Sequence, residues 1–460
     1  MNKFIEDMKG KKVLVVGLGK SGIASIDVLT NFGAEVSLQD SKKSEDISGE
    51  HMSFLSDRGV TCYFDSVPED IKAFDMLVMS PGVPLEVPFV KDAINAGIEV
   101  IGELELAYRI TEGKFLAITG TNGKTTTTTL VGEIVKNAGH DMRIVGNIGN
   151  PVVTEAVKSD ENTWMVTETS SFQLETIKEF KPQVSAILNL TPDHMDRHKT
   201  MENYGKAKAN IMKNQTNEQY FVINFDDKEC LKLASGTKAK VVPFSRKEPL
   251  KFGAFVEDDS IVVIDEEGKQ TEICPIADVR IPGSHNLENA LAAVAMTYFA
   301  GIPVEVIAKT LREFDGVEHR LEFVDEIDGV RFVNDSKGTN SDAAIKAIEA
   351  MSTPIVLIAG GYDKNADFDD FIKSFGDKVK YAVLLGATAG KIKATAERNG
   401  FNNTIMLKDM KACVQEAFRL AEEGDTVLLS PACASWDMYN SFEERGRDFK
   451  ACVEKLKLGE

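Results

Sequence analysis

The residues from Gly120 to Thr126, GTNGKTT, have the composition of a loop that binds phosphate. They follow the apolar run FLAIT and precede a predicted helix. Glycines let backbone N–H groups close around phosphate oxygens, and the following helix points its positive end at the same place. Lys124 can neutralise charge on the β- and γ-phosphates, and Thr125 can offer its hydroxyl to Mg²⁺. The loop predicts an ATP site, although Ile118 replaces the first glycine of the strict GxxxxGK[ST] pattern, and it leaves kinase, ATPase and ligase open.

The segment from Gly17 to Gly22, GLGKSG, is a second glycine pattern, GxGxxG, and it follows the apolar run VLVV. Asp40 ends the next predicted strand. This arrangement is typical of a nucleotide-binding turn, in which glycines let the backbone approach a diphosphate. It indicates a nucleotide diphosphate site and does not choose NAD over UDP. A nicotinamide-dependent oxidoreductase is therefore a second hypothesis.

Residues that could bind a metal ion follow two of the central apolar runs. Glu168 ends TWMVTE, and His194 lies in TPDHMDRH, just after SAILNL. A carboxylate at the end of a strand, in the same sheet as a phosphate loop, is well placed to hold Mg²⁺. His194 is a candidate for the same ion because its strand is predicted to lie beside that of Glu168. Lys206 and Lys208 follow in a predicted helix, and residue type alone describes both as solvated surface charges.

The last third of the chain contains three polar loops, each after an apolar run. Their sequences are NDSKGTN at 334–340, GGYDKNADF at 360–368 and SPACASWDMYNSFEERG at 430–446. Ligands of parallel sheets bind at the carboxyl ends of the strands. The three loops therefore predict a site at one edge of a sheet, although ordinary connections between strands and helices are also polar.

The elements that position these residues alternate between short apolar runs and longer amphipathic segments. This alternation indicates an α/β fold with mostly parallel sheets covered by helices. Three series of runs predict three domains: a Rossmann-like N-terminal domain over 1–111, a central P-loop-type ATPase domain over 112–316, and a Rossmann-like C-terminal domain over 317–460. The runs that predict strands are 11–17, 35–40, 75–80, 98–103, 114–120, 163–168, 184–190, 219–225, 329–336, 354–361, 381–386 and 425–432.

Composition and charge limit the class of protein. The chain has 460 residues, of which 43% are hydrophobic and 27% charged, as is ordinary for a globular protein of several domains. A net charge of −19 argues against a nucleic-acid partner, because phosphate backbones bind basic surfaces. Six scattered cysteines without a CxxC pair argue against a zinc ribbon and fit a reducing compartment. Because no apolar run reaches about 18 residues and the start is not signal-like, we expect a cytoplasmic protein without a membrane partner.

Nine short motifs agree in order and approximate spacing with those of one known family. Together they resemble the Mur ligases over nearly the whole chain, and within that family the branch that adds D-glutamate. Two departures are small: the stretch from His194 to Lys208 is slightly shorter than in some relatives, and Trp436 and Tyr439 stand where relatives vary. The motifs are GTNGKTT, ETSSFQLE, NLTPDHMDRH, YGKAK, HNLENALAA, the pair His319-Arg320, NDSKGTN, GGYDKNADF and SPACASWDMYNSFEERG.

The resemblance implies an ATP-dependent ligase that adds D-glutamate to UDP-N-acetylmuramoyl-L-alanine through an acyl phosphate. The implied catalytic residues are Lys124, Glu168, His194 and Lys208. The residues implied to bind two Mg²⁺ ions are Thr125, Glu168, His194 and Lys208. Lys208 matches a lysine that is N6-carboxylated in the family, which turns a cation into an anionic oxygen ligand. The residues implied at ATP are Gly120, Thr121, Asn122, Gly123, Lys124, Thr125, Thr126, Asn289, Arg320 and Asp335.

The resemblance also implies substrate sites and a monomer, and it assigns the GxGxxG segment to UDP. Other amide ligases of the family remain alternatives: the muramoyl–L-alanine ligase, the enzymes that add the third residue, and the folate polyglutamate enzymes. A nicotinamide enzyme would differ from all of them by binding NADH. The implied substrate residues are Gly19, Lys20, Ser21, Asp40 and Ser41 for UDP, Asn147 for the muramoyl group, Ser170, and Lys337, Thr339, Lys364, Ser435 and Phe442 for D-glutamate.

Overall fold

The structure is a computed structural model that describes residues 3–363 and 366–459. The chain forms two compact units. The first comprises the residues up to Val279 together with Glu288–Phe314, and the second comprises Arg280–Leu287 and the residues from Asp315 onwards. The first unit contains two sheets and the second unit contains one.

The amino-terminal part of the first unit is an open parallel sheet with helices. Its strands are β1 (Lys12–Val16), β2 (Glu35–Asp40), β3 (Thr61–Phe64), β4 (Met76–Met79) and β5 (Glu99–Gly102). Its helices are α1 (Lys3–Asp7), α2 (Lys20–Asn31), α3 (Gly49–Asp57), α4 (Pro88–Asn95) and α5 (Glu103–Ile110), with 3₁₀ turns at Ser44–Asp46 and Ile71–Ala73. The strand order is β3-β2-β1-β4-β5, so the order reverses beside β1, where open α/β sheets bind their ligands.

The rest of the first unit is built on a sheet of nine strands. They are β6 (Lys114–Thr119), β7 (Met142–Gly146), β8 (Trp164–Glu168), β9 (Val184–Ile187), β10 (Tyr220–Asn224), β11 (Lys240–Ser245), β12 (Gly253–Glu257), β13 (Ser260–Ile264) and β14 (Gln270–Pro275). The order is β14-β13-β12-β11-β10-β9-β6-β8-β7; neighbouring strands from β7 to β12 are parallel, and the pairs β12–β13 and β13–β14 are antiparallel. The helices are α6 (Lys124–Asn137), α7 (Val152–Ala156), α8 (Ser171–Leu174), α9 (Met195–His198), α10 (Met201–Ala209), α11 (Lys228–Leu233), α12 (Ser284–Phe299) and α13 (Val304–Glu313), with 3₁₀ turns at Asn210–Met212 and Ile276–Asp278.

The second unit has one sheet of six strands. They are β15 (Glu322–Ile327), β16 (Val330–Asn334), β17 (Ile355–Ala359), β18 (Val379–Leu384), β19 (Thr404–Met406) and β20 (Thr426–Leu429). The order is β15-β16-β20-β17-β18-β19, and the pair of β15 and β16 is antiparallel. The helices are α14 (Ser341–Ala350), α15 (Asp369–Lys373), α16 (Ala389–Arg398), α17 (Met410–Leu420) and α18 (Phe442–Lys457).

The predicted fold class, α/β with three domains and mostly parallel sheets, is confirmed. Strands such as β8, β17 and β20 are buried at every position, because helices cover both faces and the runs are apolar throughout. The three sheets occupy 12–102, 114–275 and 322–429. The domain boundaries at 111 and 316 stay a prediction. Among the described residues, no helix is long and apolar enough to cross a membrane.

Helix α5 begins with a carboxylate that is shielded from water. Glu103 is 2% exposed, and its Oε1 accepts a hydrogen bond of 2.7 Å from the backbone N–H of Val153. Among the described residues, Glu103 Oε2 has no hydrogen-bond partner. Burial raises the pKa of Glu103 to about 7, against a smaller opposing effect of the backbone N–H groups of Val153 and Val152. The carboxyl group therefore holds its proton well above the pH at which an exposed glutamate loses it.

Replacing Glu103 with glutamine is expected to flatten the dependence of thermal stability on pH. A pKa raised in the folded state contributes stability that is complete below about 4.5 and is lost as pH rises to about 7. This loss amounts to about 3 kcal/mol, and to a fall in Tm of the order of 5 °C, which the variant should lack. Thermal unfolding from pH 4.5 to 8 measures it, with exposed Glu112→Gln as the control that keeps the wild-type slope. Equal slopes for Glu103→Gln and wild type would contradict the raised pKa.

Candidate active site

The phosphate loop joins β6 to α6, as the sequence predicts. Gly123 precedes α6 with a φ of 81°, a backbone conformation that favours glycine. A Cβ atom at Gly123 would lie 2.2 Å from Oδ1 of Asn289, so this asparagine packs directly over the loop. Asn189, which follows β9, holds the loop in place with its side chain. Its Oδ1 accepts from the backbone N–H of Asn122 at 2.8 Å, and its Nδ2 donates to the Asn122 carbonyl at 3.0 Å. The predicted nucleotide residue Asn289 and the loop are thus brought together.

Two lysine side chains meet at the carbonyl of Gly120. Lys124 Nζ donates to the Gly120 carbonyl at 3.0 Å and to the Thr121 carbonyl at 2.8 Å. Lys208 Nζ donates to the same Gly120 oxygen at 2.7 Å. Lys208 is 2% exposed, and burial, reinforced by the positive charge of Lys124, holds the pKa of Lys208 well below its usual value. Burial therefore favours the neutral, nucleophilic amine form of Lys208 over its charged form.

Glu168 ends β8 and connects two other predicted site residues, Thr125 and Asn147. Its Oε2 accepts from the Thr125 hydroxyl at 2.8 Å, and its Oε1 accepts from Asn147 Nδ2 at 2.8 Å. The backbone N–H of Asn147 also donates to the Glu168 carbonyl at 2.9 Å. These groups meet because β6, β8 and β7 are adjacent parallel strands whose carboxyl ends share one edge. The hydroxyl of Thr125 and the buried carboxylate of Glu168 are hard oxygen ligands, so this pair fits Mg²⁺.

His194 begins a row of four aromatic rings that runs along the site. His194 has a φ of 54°, and its ring meets the edge of Phe172 at 4.9 Å between centroids. Phe172 stacks on His198 at 5.4 Å, and His198 packs against Tyr204 at 5.1 Å. His198 is held by the Ser171 hydroxyl, which lies 2.9 Å from its Nε2. The prediction that the strand before His194 lies beside the strand of Glu168 is wrong, because β6 lies between β9 and β8.

Tyr204 joins this row to the phosphate loop. Its hydroxyl lies 3.3 Å from Oγ1 of Thr121, and Lys208 Nζ lies 4.5 Å from the centre of its ring. Tyr204 is 1% exposed. Lys208 and the loop are therefore positioned by the same side chain, which sequence reasoning did not single out although it lies in the quoted YGKAK motif.

Ser170 has a structural role in the described geometry. It caps α8 through a capping box: its hydroxyl accepts from the Gln173 backbone N–H at 3.3 Å, and its own backbone N–H donates to Gln173 Oε1 at 2.9 Å. The cap fixes the turn that follows Glu168. The assignment of Ser170 to substrate stays a prediction.

The predicted UDP residues surround the carboxyl ends of β1 and β2. Gly19 is the N-cap of α2, and Lys20 and Ser21 form its first turn. Asp40 ends β2, where its Oδ2 accepts from the Leu18 backbone N–H at 2.6 Å; Ser41 follows it. The carboxylate thus shapes the glycine turn itself.

The third glycine of the GxGxxG pattern allows close packing of helix on strand. A Cβ atom at Gly22 would lie 2.0 Å from the Gly17 carbonyl oxygen, so no larger residue fits there. Ser80, after β4, donates to that same Gly17 oxygen at 2.8 Å. The turn is therefore fixed from two neighbouring strands.

In the second unit, Asp335 lies at the end of β16. It is 1% exposed; Ser430 donates to its Oδ2 at 2.8 Å, and the Leu321 backbone N–H donates to its Oδ1 at 3.3 Å. Burial raises the pKa of Asp335 to about 6, while the nearby charge of Arg320 opposes the shift. The predicted nucleotide residues Arg320 and Asp335 are therefore neighbours within this unit.

Arg445 holds the loops after β16 and β20 together. This buried guanidinium donates through Nε to the Ser336 hydroxyl at 3.0 Å, through Nη2 to the Ser336 carbonyl at 2.8 Å, and through Nη1 to the Cys433 carbonyl at 3.1 Å. Burial lowers the pKa of Arg445 to about 10. The sequence analysis did not select Arg445, because a charged residue in a helix with several other charged residues is not distinctive.

The predicted D-glutamate residues lie on these same loops. Lys337 Nζ is 5.1 Å from the centre of the Phe442 ring, and the Phe442 carbonyl accepts from the Ser336 hydroxyl at 2.8 Å. Thr339 follows on the β16 loop, where its N–H donates to the Lys337 carbonyl at 2.9 Å. Ser435 is 2% exposed on the β20 loop. Lys364 lies outside the described residues.

Comparison with known proteins assigns the class. Three family models match consecutive parts of the chain: the Mur ligase MurD-like N-terminal domain at residues 11–102, the Mur ligase middle domain at 118–297, and the Mur ligase glutamate ligase domain at 319–433. The chain belongs to the Mur ligase family, a class of ATP-dependent amide ligases. This membership decides against the nicotinamide-dependent oxidoreductase.

Individual relatives place the chain within the family. The UDP-N-acetylmuramoylalanine–D-glutamate ligase of Alkaliphilus oremlandii is 52% identical over 454 residues, which cover 98% of this chain and 100% of that protein. The enzyme of the same name from Clostridioides difficile is 49% identical over 453 residues, with 98% and 100% covered. Together with the MurD-like N-terminal domain, these similarities make the chain a MurD-like Mur ligase.

Solved structures support the fold. The UDP-N-acetylmuramate–alanine ligase MurC of Thermotoga maritima superposes with a TM-score of 0.60 at 18% identity, covering 98% of this chain and 100% of that one. A pseudomurein peptide ligase type C from Methanothermus fervidus gives a TM-score of 0.58 at 17% identity, with 97% and 100% covered. At these identities the likeness concerns the three-domain fold alone.

Proposed function

We propose that this chain joins D-glutamate to UDP-N-acetylmuramoyl-L-alanine with the consumption of ATP. The observation that carries the proposal is about 50% identity, over 98% of the chain, to D-glutamate ligases of that name. The other amide ligases of the family are the second candidates. We further propose that the enzyme acts as a cytoplasmic monomer.

In the proposed reaction the substrate carboxylate attacks the γ-phosphate of ATP. Both reactants are anions, so the cation of Lys124 and the positive end of α6 lower the repulsion between them. Bound Mg²⁺, held by Thr125, Glu168 and His194, would supply further positive charge at the phosphates. The bond between the γ-phosphorus and the β,γ-bridging oxygen breaks, ADP leaves, and an acyl phosphate is formed. The neutral amine of D-glutamate then attacks the acyl carbon, and loss of phosphate and of one amine proton from the tetrahedral intermediate gives the amide.

Lys208 is proposed to act as its N6-carboxylate. A neutral lysine amine adds to CO₂ and releases one proton, which yields a carbamate. Burial of Lys208 and the adjacent charge of Lys124 favour the neutral amine that this reaction needs. The carbamate would place an anionic oxygen ligand beside Gly120, which suits a site for a second Mg²⁺.

The substrate residues are proposed by position. Asp40 and the turn from Gly19 to Ser21, with Ser41, would bind UDP, and Asn147 would contact the muramoyl group beside Glu168. In the second unit Arg320 and Asp335 would contact the nucleotide. The D-glutamate pocket would comprise Lys337, Thr339, Lys364, Ser435 and Phe442.

Phosphate release from ATP tests the proposed function. With UDP-N-acetylmuramoyl-L-alanine present, D-glutamate is expected to support release, whereas L-glutamate, L-alanine, L-lysine and meso-diaminopimelate are not. Omitting the nucleotide substrate is the control and should abolish release. Release with another amino acid would move the enzyme to a different branch of the family, and release with none would contradict the proposal.

A further inference from the structure

Helix α5 connects the first sheet to the central part of the first unit through two buried carboxylates. Glu103 and Glu105 lie in its first turn and are 2% and 0% exposed. Carboxylates are seldom buried without strong partners. Both side chains point away from their own domain and bind backbone N–H groups that follow β7 and β8.

Glu105 is saturated with hydrogen bonds. Its two oxygens accept from three consecutive backbone N–H groups, those of Lys178, Glu179 and Phe180, at 2.9, 2.9 and 3.1 Å. Arg109, one turn along α5, donates a fourth bond of 2.8 Å to Oε1. Each carboxylate oxygen therefore accepts two bonds, and the segment 178–180 is held to α5 by its backbone.

Glu103 supplies a cap that α7 lacks from its own sequence. The N-cap residue of α7 is Pro151, which offers no side-chain hydrogen bond. The N–H of Val153 instead donates to Glu103 Oε1 at 2.7 Å. Residues 147–151 immediately precede α7 and begin with Asn147, whose side chain donates to Glu168. Glu103 thus sets the start of α7 and, through it, the loop that carries Asn147.

The two contact points lie on either side of Glu168. The loop of Asn147 comes before β8, and the segment 178–180 comes after α8, whose capping box begins two residues beyond Glu168. We propose that Glu103 and Glu105 are positioning residues for the nucleotide-linked substrate, because they fix the first sheet to the two segments that flank Glu168. This inference rests on the proposed function, in which the first sheet binds UDP and Asn147 the muramoyl group.

Matched substitutions separate this role from general stability. Gln at 103 keeps an oxygen acceptor for Val153, whereas Glu103→Leu has similar size and no acceptor. At 105 even the isosteric Glu105→Gln places an NH₂ group against N–H donors, so it should be tolerated less well than Glu103→Gln. Glu99→Gln is the control, because partly exposed Glu99 also binds Arg109, at 2.8 Å, without contacting either segment.

Steady-state kinetics give the first measurement. Glu103→Leu and Glu105→Gln are expected to raise KM for the UDP-linked substrate about tenfold, with KM for ATP within about twofold of wild type. Glu103→Gln and Glu99→Gln should stay within about twofold for both substrates. A merely structural role would lower Tm or kcat and leave the ratio of the two KM values unchanged, and that result would overturn the proposal.

Amide hydrogen exchange gives a second measurement that needs no substrate. Exchange at Val153 should accelerate in Glu103→Leu, and exchange at Lys178, Glu179 and Phe180 should accelerate in Glu105→Gln. Unchanged exchange at these amides would also overturn the proposal. A wild-type enzyme that does not release phosphate with UDP-N-acetylmuramoyl-L-alanine would instead refute the proposed function, while the exchange result would still decide whether α5 holds the two segments.

Discussion

Lys208→Ala is expected to lower turnover about 1000-fold or more while the protein stays folded. The side chain lies within the site, donates to the Gly120 carbonyl at 2.7 Å, and is the proposed source of an anionic metal ligand. Alanine leaves neither the amine nor the carbamate. Phosphate release with both substrates present measures the effect, and Tm checks folding.

Lys206 offers a matched control on the same helix. Its side chain is 69% exposed and pairs with Glu202 at 2.6 Å, so Lys206→Ala should retain wild-type turnover. Depleting CO₂ should lower the activity of the wild type, and bicarbonate should restore it, whereas bicarbonate should not restore Lys208→Ala. Full turnover in Lys208→Ala would refute the assigned role.

Gly123→Ala is expected to raise KM for ATP about tenfold or more, which corresponds to at least about 1.4 kcal/mol of lost binding. The new Cβ would lie 2.2 Å from Asn289 Oδ1, so either the loop or the asparagine must move, and both are proposed to contact the nucleotide. A positive φ adds strain of about 1–2 kcal/mol for any residue with a Cβ. Titration of ATP at saturating second substrates gives the KM.

Gly139→Ala is a control that separates the effect of backbone strain from that of steric overlap with Asn289. Gly139 follows the other end of α6 with a φ of 85°, and a Cβ there would meet nothing within 4 Å. Backbone strain should cost Gly139→Ala about as much stability as it costs Gly123→Ala, while KM for ATP should stay at the wild-type value. Equal effects of the two substitutions on KM would show that backbone strain, not Asn289, determines nucleotide binding.

The sequence predicted the positions of the site residues better than their surroundings. Gly120–Thr126 and Glu168 could be placed because each follows a continuous apolar run, and parallel strands end at one edge of a sheet. Lys206 and Lys208 show where this reasoning stops. Both are lysines in one helix, and the burial of Lys208 depends on its packing against the phosphate loop, whose Gly120 lies 88 residues earlier in the chain.

The sequence analysis missed eight of the described strands: β3, β7, β11, β15, β19 and the neighbouring β12, β13 and β14. Antiparallel pairs join β12, β13 and β14, and β14 alternates exposed and partly buried positions before two buried residues and a final exposed proline. The turn between β12 and β13 contains Asp258 and Asp259, both with positive φ, which aspartate tolerates better than most residues. A search for parallel strands separated by helices does not find such a hairpin.

Arg445 and Glu105 were missed for a common reason. Each is a charged residue in a helix, and residue type alone describes such residues as solvated. Both are buried because they bind backbone groups far away in the chain: Arg445 reaches Ser336, and Glu105 reaches Lys178. Contacts of this kind to main-chain atoms leave no pattern of partner side chains in a single sequence.

The path of the chain between the two units determines how the protein can be divided. Residues Arg280–Leu287 belong to the second unit, yet they are followed by Glu288–Phe314, which belong to the first. Helix α12 therefore has its first turn in one unit and its remainder in the other. A single cleavage after Phe314 would release a carboxyl-terminal fragment without this eight-residue segment and leave the segment attached to the other fragment. Expression of the second unit alone would need this segment to be joined to Asp315 through a linker or supplied as a peptide, rather than a simple truncation.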